Sequence, residues 1–472
     1  GFQNYWLAEG MVSGICYAGG VGRYLAEWIT EGAPTIDMWS VDPRRFNSHA
    51  GKIHTHIKNE ETYGHIFDIH YPNLEMPAAR PGKTSPSYDR LTQAGAVWGV
   101  AGGWERARWF DIDGSNTPET LTFRRSNSFD IIGQECHAIR EGVGLMDFTS
   151  FSKWEVTGPG SIYFLERALA NAMPERDGRV TLAHALDENG RFCSEYTVAR
   201  LAEDHFYLCG PASTEMHDEQ VLRSRLNPED KVNITNISMG WGCLTVAGPK
   251  SRDLLSGIVD GSLETDHFKW FDVEEREVGW ATGVRVMRVN YCGELGWELH
   301  HPIAFQHHIF DQLQKAGAEL GLRHVGFCAL DSLRIEKSYR AVTQELTTQN
   351  TLNEVGLGRF IGKKKTGFIG AEAVAVKAGT ESVQLVTLEA NCNAGGVEPS
   401  MNQAVYAGDK VIALTTSGAF GHYIGKHLAM AILPTEYAAE GTLLSIEILD
   451  ERYEAVVIAE SPHDPQNLRP RA

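Results

Sequence analysis

Two carboxylates and a phenol stand close together between Arg288 and Leu299, in the run R-V-N-Y-C-G-E-L-G-W-E-L. Tyr291, Glu294 and Glu298 together suit a flat heterocycle with an N–H edge. A carboxylate accepts two parallel hydrogen bonds, and an aromatic ring offers a stacking face. Another carboxylate, Glu195, lies in F-C-S-E-Y-T-V-A-R, where two-residue alternation sets it on one strand face with Cys193 and Thr197. A carboxyl group among apolar neighbours is a candidate general base. Phe192, Tyr196 and Val198 on the opposite face predict a strand buried on both sides. The plainer alternatives are a β-hairpin with solvated acids at 288–299 and a solvated strand carboxylate at Glu195.

The elements that must hold these groups are legible in outline. Val284-Arg285-Val286-Met287 alternates as a strand, and Gly293 and Gly296 break it with a tight turn. The run 186–191 reads as a turn that delivers the strand carrying Glu195. Glu135 to Asp147 reads as a helix closing at glycine and then a strand, and a helix follows around Ile162 to Asn171. Residues from Ser382 to about Glu460 alternate short strands with glycine turns, which predicts a small antiparallel barrel. Near the start, small residues at Ser13-Gly14 and Ala18-Gly19-Gly20 predict a glycine-rich loop, with a helix from about Val21 to Thr30. Glycines ahead of a helix N-terminus let backbone approach a phosphate or a flat ring. His54-x-His56, read as a strand within the histidine-rich run 49–70, would put two imidazoles on one face. No third ligand accompanies them, so no metal is expected.

Composition bounds the function. The chain has 472 residues, 42% of them hydrophobic and 22% charged, enough for several domains. A formal net charge of −18 with scattered Arg and Lys argues against nucleic acid or an anionic membrane as partner. No apolar run approaches the roughly 18 residues that span a bilayer. The eight cysteines are dispersed without a CxxC pair, which fits a reducing compartment better than a disulfide framework.

The 288–299 run resembles the folate-site signature of the glycine-cleavage T-protein (aminomethyltransferase) superfamily, and more closely that of the C-terminal folate domain of dimethylglycine and sarcosine dehydrogenases. The start of that fold is matched by Glu135-Cys136, Arg140, Val143-Gly144-Leu145, Asp147, Lys153, Val156 and Gly158-Pro159. Thr415 to Gly418 and Lys426 to Ala431 resemble its C-terminal barrel. Glu195 stands where T-proteins carry an aspartate, and Leu330 where they carry an arginine, a departure that points toward the dehydrogenase branch. Gly1 to Gly32 resembles the closing strand-loop-helix of flavin amine oxidases of the D-amino-acid-oxidase type, and Asp37 to Phe46 their linker. The opening GxGxxG loop of that family is not in this chain. The resemblance therefore implies the C-terminal portion of a longer polypeptide, or a chain that has lost its flavin half. The tail from Ser461 to Arg469 looks like the ordinary end of such enzymes.

The resemblance implies an α+β chain: the end of a flavin domain at 1–46, a linker or central oxidoreductase region at 47–118, a folate domain at 119–375 and a barrel at 376–472. It implies tetrahydrofolate held by Tyr291, Glu298, Thr197, Glu294 and Arg334, with Glu195 as general base. FAD would be bound mostly by residues outside this chain, with Ser13, Gly14, Gly19 and Gly20 as the remnant of its loop. The implied activity is oxidative N-demethylation, with the one-carbon unit captured as 5,10-methylenetetrahydrofolate. The implied partners are a small N-methyl amine, folate, and other subunits or the flavin half. The implied location is the cytoplasm, or the mitochondrial matrix in a eukaryote. A non-catalytic folate-binding protein of the same fold, or a folate-dependent methyltransferase or demethylase, is the alternative.

Overall fold

The computed structural model describes residues 5–11, 13–47, 49–112, 114, 118–362, 365–392 and 395–472. A helix spans Gly14–Glu31 and ends at Gly32, whose φ of +83° turns the chain back and whose N–H reaches Trp28 O. None of its residues is buried. The expected glycine-rich loop is therefore corrected: Ser13 precedes the helix, and Gly14, Gly19 and Gly20 lie within it. A mid-helix glycine costs about 1 kcal/mol against alanine. Each added residue still gains a backbone hydrogen bond once the helix is nucleated, so it runs through. The expected strand at His54-x-His56 is also corrected, because a helix spans Lys52–Gly64. Residues two apart on a helix point about 200° from each other and share no face.

A hairpin follows, β1 (Ala96–Ala101) with β2 (Trp104–Phe110). The next strands, in chain order, are β3 (Gly144–Asp147), β4 (Ser152–Thr157), β5 (Arg179–Leu186), β6 (Phe192–Ala202), β7 (His205–Gly210), β8 (Asn233–Asn236), β9 (Trp241–Ala247), β10 (Val273–Val278), β11 (Ala281–Met287), β12 (Gly296–Pro302) and β13 (Arg323–His324). Among the described residues they form two sheets, ordered β10-β11-β12-β9-β3-β13 and β5-β6-β7-β4-β8. The tail closes as a barrel of β14 (Val383–Ala390), β17 (Lys426–Pro434), β16 (Lys410–Gly421), β15 (Ala404–Ala407), β18 (Leu443–Ile448) and β19 (Glu451–Ile458), in that order around the wall. The expected small antiparallel barrel is what the chain builds.

Each of the two sheets covers one face with helices. Leu244, Val246, Val284, Val286, Trp297 and Leu299 pack with Leu254, Leu255, Ile309, Phe310 and Leu313. Trp154, Val156, Tyr196, Val198, Phe206 and Leu208 pack with Phe164, Leu165 and Leu222. The alternate residues of the same strands must then point the other way. Those two faces meet each other: Val180, Ala199 and Tyr207 of one sheet pack against Val273 and Met287 of the other. Apolar contact is only part of that seam, which is where the polar residues are gathered.

The barrel is clasped to the sheets around the helix Phe327–Ile335. Arg140 is fully enclosed and donates to Glu294 at 2.8 Å and to Glu336 at 2.7 Å. Glu336 in turn accepts the backbone N–H of Tyr423 at 2.8 Å. Glu135 braces the hairpin, accepting the N–H of Phe110 and of Gly326 at 2.7 and 2.8 Å.

Candidate functional site

The seam between the sheets carries a set of side chains that the strand period alone places together. On β12 it is Glu298 and His300, on β9 Cys243 and Thr245, on β7 Tyr207 and Cys209, on β4 Lys153 and Glu155, on β6 Glu195 and Thr197, and on β5 His184. Register confirms the neighbours. Glu298 is opposite Thr245, Thr197 is opposite Cys209, and His184 is opposite Glu195. Side chains directly opposite in an antiparallel pair share a face. Tyr207 and His300 join the two sheets with a 2.8 Å contact between hydroxyl and Nδ1, and Arg285 donates to Glu155 at 2.5 Å.

Glu298 is buried, with Oε2 3.0 Å from His300 Nε2. Burial pushes its pKa up to about 8, against the opposing pull of the Lys153 ammonium. Burial, with Lys153 and Arg285, drives the His300 imidazole well below its ordinary value. Near neutral pH this pair is therefore a neutral acid beside a neutral imidazole. Among the described residues no Lys or Arg forms an ion pair with Glu298 to offset its burial. Next to it, Thr245 Oγ1 is buried with no hydrogen-bond partner among the described residues. An acid able to give or take a proton beside an orphaned hydroxyl fits a ligand edge carrying both N–H and C=O groups. Cys243, Glu298 and His300 bring possible ligand atoms within 4.8 Å of one another. Lys153 acts on all three, and its charge opposes a second cation there.

Tyr291 sits in the loop between β11 and β12. Asn290 shapes that loop, its Oδ1 accepting the N–H of Gly293 at 3.0 Å and its Nδ2 donating to Glu294 O at 2.7 Å. Gly293 has φ +77°, and a Cβ there would lie 2.6 Å from the Lys337 side chain, so the turn requires glycine. The Tyr291 hydroxyl donates to Arg340 O, and its ring lies 5.7 Å from that of Tyr339. Burial drives its phenol pKa upward; Arg334 opposes this, and the charges of Glu195, Glu345 and Asp331 add to it. Tyr291 thus stands within electrostatic reach of Glu195.

Glu195 does not lie in a strand buried on both sides. Phe192, Ser194, Tyr196 and Val198 are buried, and Glu195 and Thr197, on the seam face, are half-buried. The expected grouping of Cys193 with them is corrected: the bulge between β5 and β6 turns it to the helix-covered face, where it packs with Tyr196 and Val198. The Glu195 side chain keeps 19% exposure, and its Oε2 is 3.0 Å from Nε2 of the fully buried His184. Its Oε1 has no hydrogen-bond partner among the described residues.

Two expected ligands spend their polar atoms on protein partners. Glu294 spends its oxygens on Arg140, His463 and Arg469, at 2.8, 3.2 and 3.0 Å. Arg334 is buried and donates to Asp331 and Gln344 at 2.7 Å each, and to Glu345 at 3.2 Å. Both are consumed in clasping the barrel. Nor do Ser13, Gly14, Gly19 and Gly20 form a cradle. Ser13 makes no side-chain cap, and among the described residues nothing lies within 4 Å of where a Cβ would stand at the three glycines. These residues do not fit a flavin by themselves. His184, His300, Tyr207, Thr245 and Lys153 were missed in the sequence. His300 was within reach, since period two puts it on the face of Glu298.

The family model described as GCVT N-terminal domain matches residues 87–365, the glycine cleavage T-protein C-terminal barrel domain matches 384–464, and the FAD dependent oxidoreductase central domain matches 31–85. Human dimethylglycine dehydrogenase is 34% identical over 98% of this chain and 53% of its own length. The 4-methylaminobutanoate oxidase (formaldehyde-forming) of Paenarthrobacter nicotinovorans is 30% identical over 99% and 57%. The mouse pyruvate dehydrogenase phosphatase regulatory subunit is 29% identical over 91% and 50%. The chain spans about half the length of these curated relatives. The glycine cleavage system aminomethyltransferase T of Bartonella henselae superposes with a TM-score of 0.70 at 22% identity, over 81% of this chain and 98% of that one, a likeness of fold. No described helix is long and apolar enough to cross a membrane.

Proposed function

We propose, for a chain that belongs to the glycine cleavage T-protein family, that the seam between its two sheets binds a reduced folate and joins a formaldehyde-level carbon to it, giving 5,10-methylenetetrahydrofolate. The observation that carries this is that the two facing sheets each supply a carboxyl group, the unneutralised buried acid Glu298 on β12 and Glu195 on β6. Glu298 and Thr245 would take the N–H and C=O edge of the pterin, with Tyr291 and Thr197 beside it. Glu195 would handle protons at the folate amines. With a cationic N-methylene amine as donor, two N–H bonds become N–C bonds, the amine leaves with one proton, and one proton is released. A carboxylate with one oxygen held and one free is suited to take and return it.

A ligand seated over Glu195 would exclude water, which would divert the carbon to free formaldehyde. Relatives named for N-methyl substrates support an N-methyl amine such as dimethylglycine as the carbon source, its oxidation belonging to a flavin-bearing part. Relatives named as mitochondrial support a matrix-like aqueous setting. A second reading, a folate-binding regulatory protein without turnover, is favoured by the relative named as a regulatory subunit. The two separate on methylenetetrahydrofolate formation from formaldehyde and tetrahydrofolate. Transfer above the uncatalysed rate is expected, and Glu195→Gln should cut it roughly a hundredfold with folate affinity within about tenfold. Binding without acceleration would establish the regulatory reading.

A further inference from the structure

We infer that His184 is a positioning residue for Glu195, a role resting on the reading that Glu195 handles the folate-amine proton. His184 comes from β5 and is fully enclosed, with the rings of Phe192 and Phe360 each 6.3 Å from its own. Both ring nitrogens face oxygen. Nδ1 is 3.3 Å from Asn171 Oδ1, and that same oxygen accepts the backbone N–H of His184 at 2.7 Å. The backbone bond identifies the Asn171 atom as the acceptor, so Nδ1 carries a hydrogen and the tautomer is fixed. Lys365 holds Asn171 from behind, donating to its carbonyl at 2.6 Å.

With Nδ1–H committed, the 3.0 Å contact between Nε2 and Glu195 Oε2 must contain a proton, whichever partner owns it. That single shared proton locks Oε2 to the wall of the seam. Oε1 is left as the oxygen available to a ligand amine. A longer arm than aspartate would otherwise sample more rotamers, and the imidazole removes that freedom. The pairing depends on a bulge. Leu186 pairs with Phe192, and Cys193 is the extra residue that brings His184 opposite Glu195.

The test uses this chain with formaldehyde and tetrahydrofolate. The wild type must bind tetrahydrofolate and accelerate its conversion; a wild type that does neither overturns the folate reading itself, and this inference with it. Given an active wild type, His184→Leu is expected to slow the saturated rate about tenfold or more with the tetrahydrofolate Kd within about threefold. His184→Gln, whose amide can offer an N–H to Glu195, should restore most of the rate. Combined with Glu195→Gln, His184→Leu should add no further loss, because the two act as one unit. A folded His184→Leu protein with the wild-type rate, or losses that multiply in the double variant, would overturn the role. If His184→Leu does not fold, nitrogen NMR of histidine-labelled wild type decides. The His184 ring signals should move on Glu195→Gln, and signals that do not respond would overturn it.

Discussion

Glu294 and Glu298 stand four residues apart in one short run, yet they end in opposite regions of the molecule. Glu294 enters the clasp between sheets and barrel, where Arg140, Arg469 and His463 surround it. Glu298 enters the seam between the sheets, where its neighbours are a neutral imidazole and an orphaned hydroxyl, and burial lifts it to about 8. Both are deeply buried, so burial does not separate a structural acid from a functional one. What separates them is whether the cost of burial is already offset by protein partners. A buried charge that is fully paired holds the fold, while a buried acid left unpaired is available to a ligand.

The largest expected effect is on the clasp. Glu294→Gln leaves Arg140 and Arg469 facing one charge fewer, and breaking a buried pair of this kind costs about 3–5 kcal/mol. Chemical denaturation should show that loss, with folate affinity of the remaining folded protein unchanged. A stability change no larger than that of a surface substitution would place Glu294 outside the clasp.

The seam should respond in the opposite sense. The Glu298 carboxyl titrates at about 8 in the fold against 4.5 in its absence. Its contribution to stability is fully present below 4.5 and is lost as pH rises through about 8, because the folded state holds the proton more tightly. Glu298→Gln removes that dependence. Glu135, also raised to about 8 by burial, remains in both proteins, so the difference between them isolates Glu298. Wild type and variant should diverge in melting temperature between pH 5 and pH 8, the variant gaining as pH rises. Parallel curves would show Glu298 to be as well paired as Glu294.

The sequence made the strand faces legible wherever apolar and polar residues alternate. Tyr196 and Val198 against Glu195 and Thr197, and Trp297 and Leu299 against Glu298, are the clearest cases. The barrel was legible for the same reason. The His184–Glu195 pair was not, because a regular hairpin continued from Leu186↔Phe192 sets His184 opposite Ser194, and only the bulge at Cys193 corrects it. The partners that hold Glu294, namely Arg140, His463 and Arg469, were not legible, because they lie far away in the chain and charge pairing over such separations leaves no local pattern. At Gly14 to Gly20 glycine content predicted a loop, but among the described residues nothing lies close to Gly14, Gly19 or Gly20 to oppose helix propagation.

Whether the unpaired acid of the seam is a ligand site is tested most directly by calorimetric titration of this chain with tetrahydrofolate at pH 7, wild type against Glu298→Gln. Saturable binding is expected in the wild type. Heats that change with the buffer should show a proton released as the N–H edge of the pterin draws Glu298 into its charged form. Affinity in Glu298→Gln should fall at least tenfold, about 1.4 kcal/mol, with no buffer dependence. Equal affinity in the two proteins, or no saturation of the wild type at millimolar folate, would contradict it.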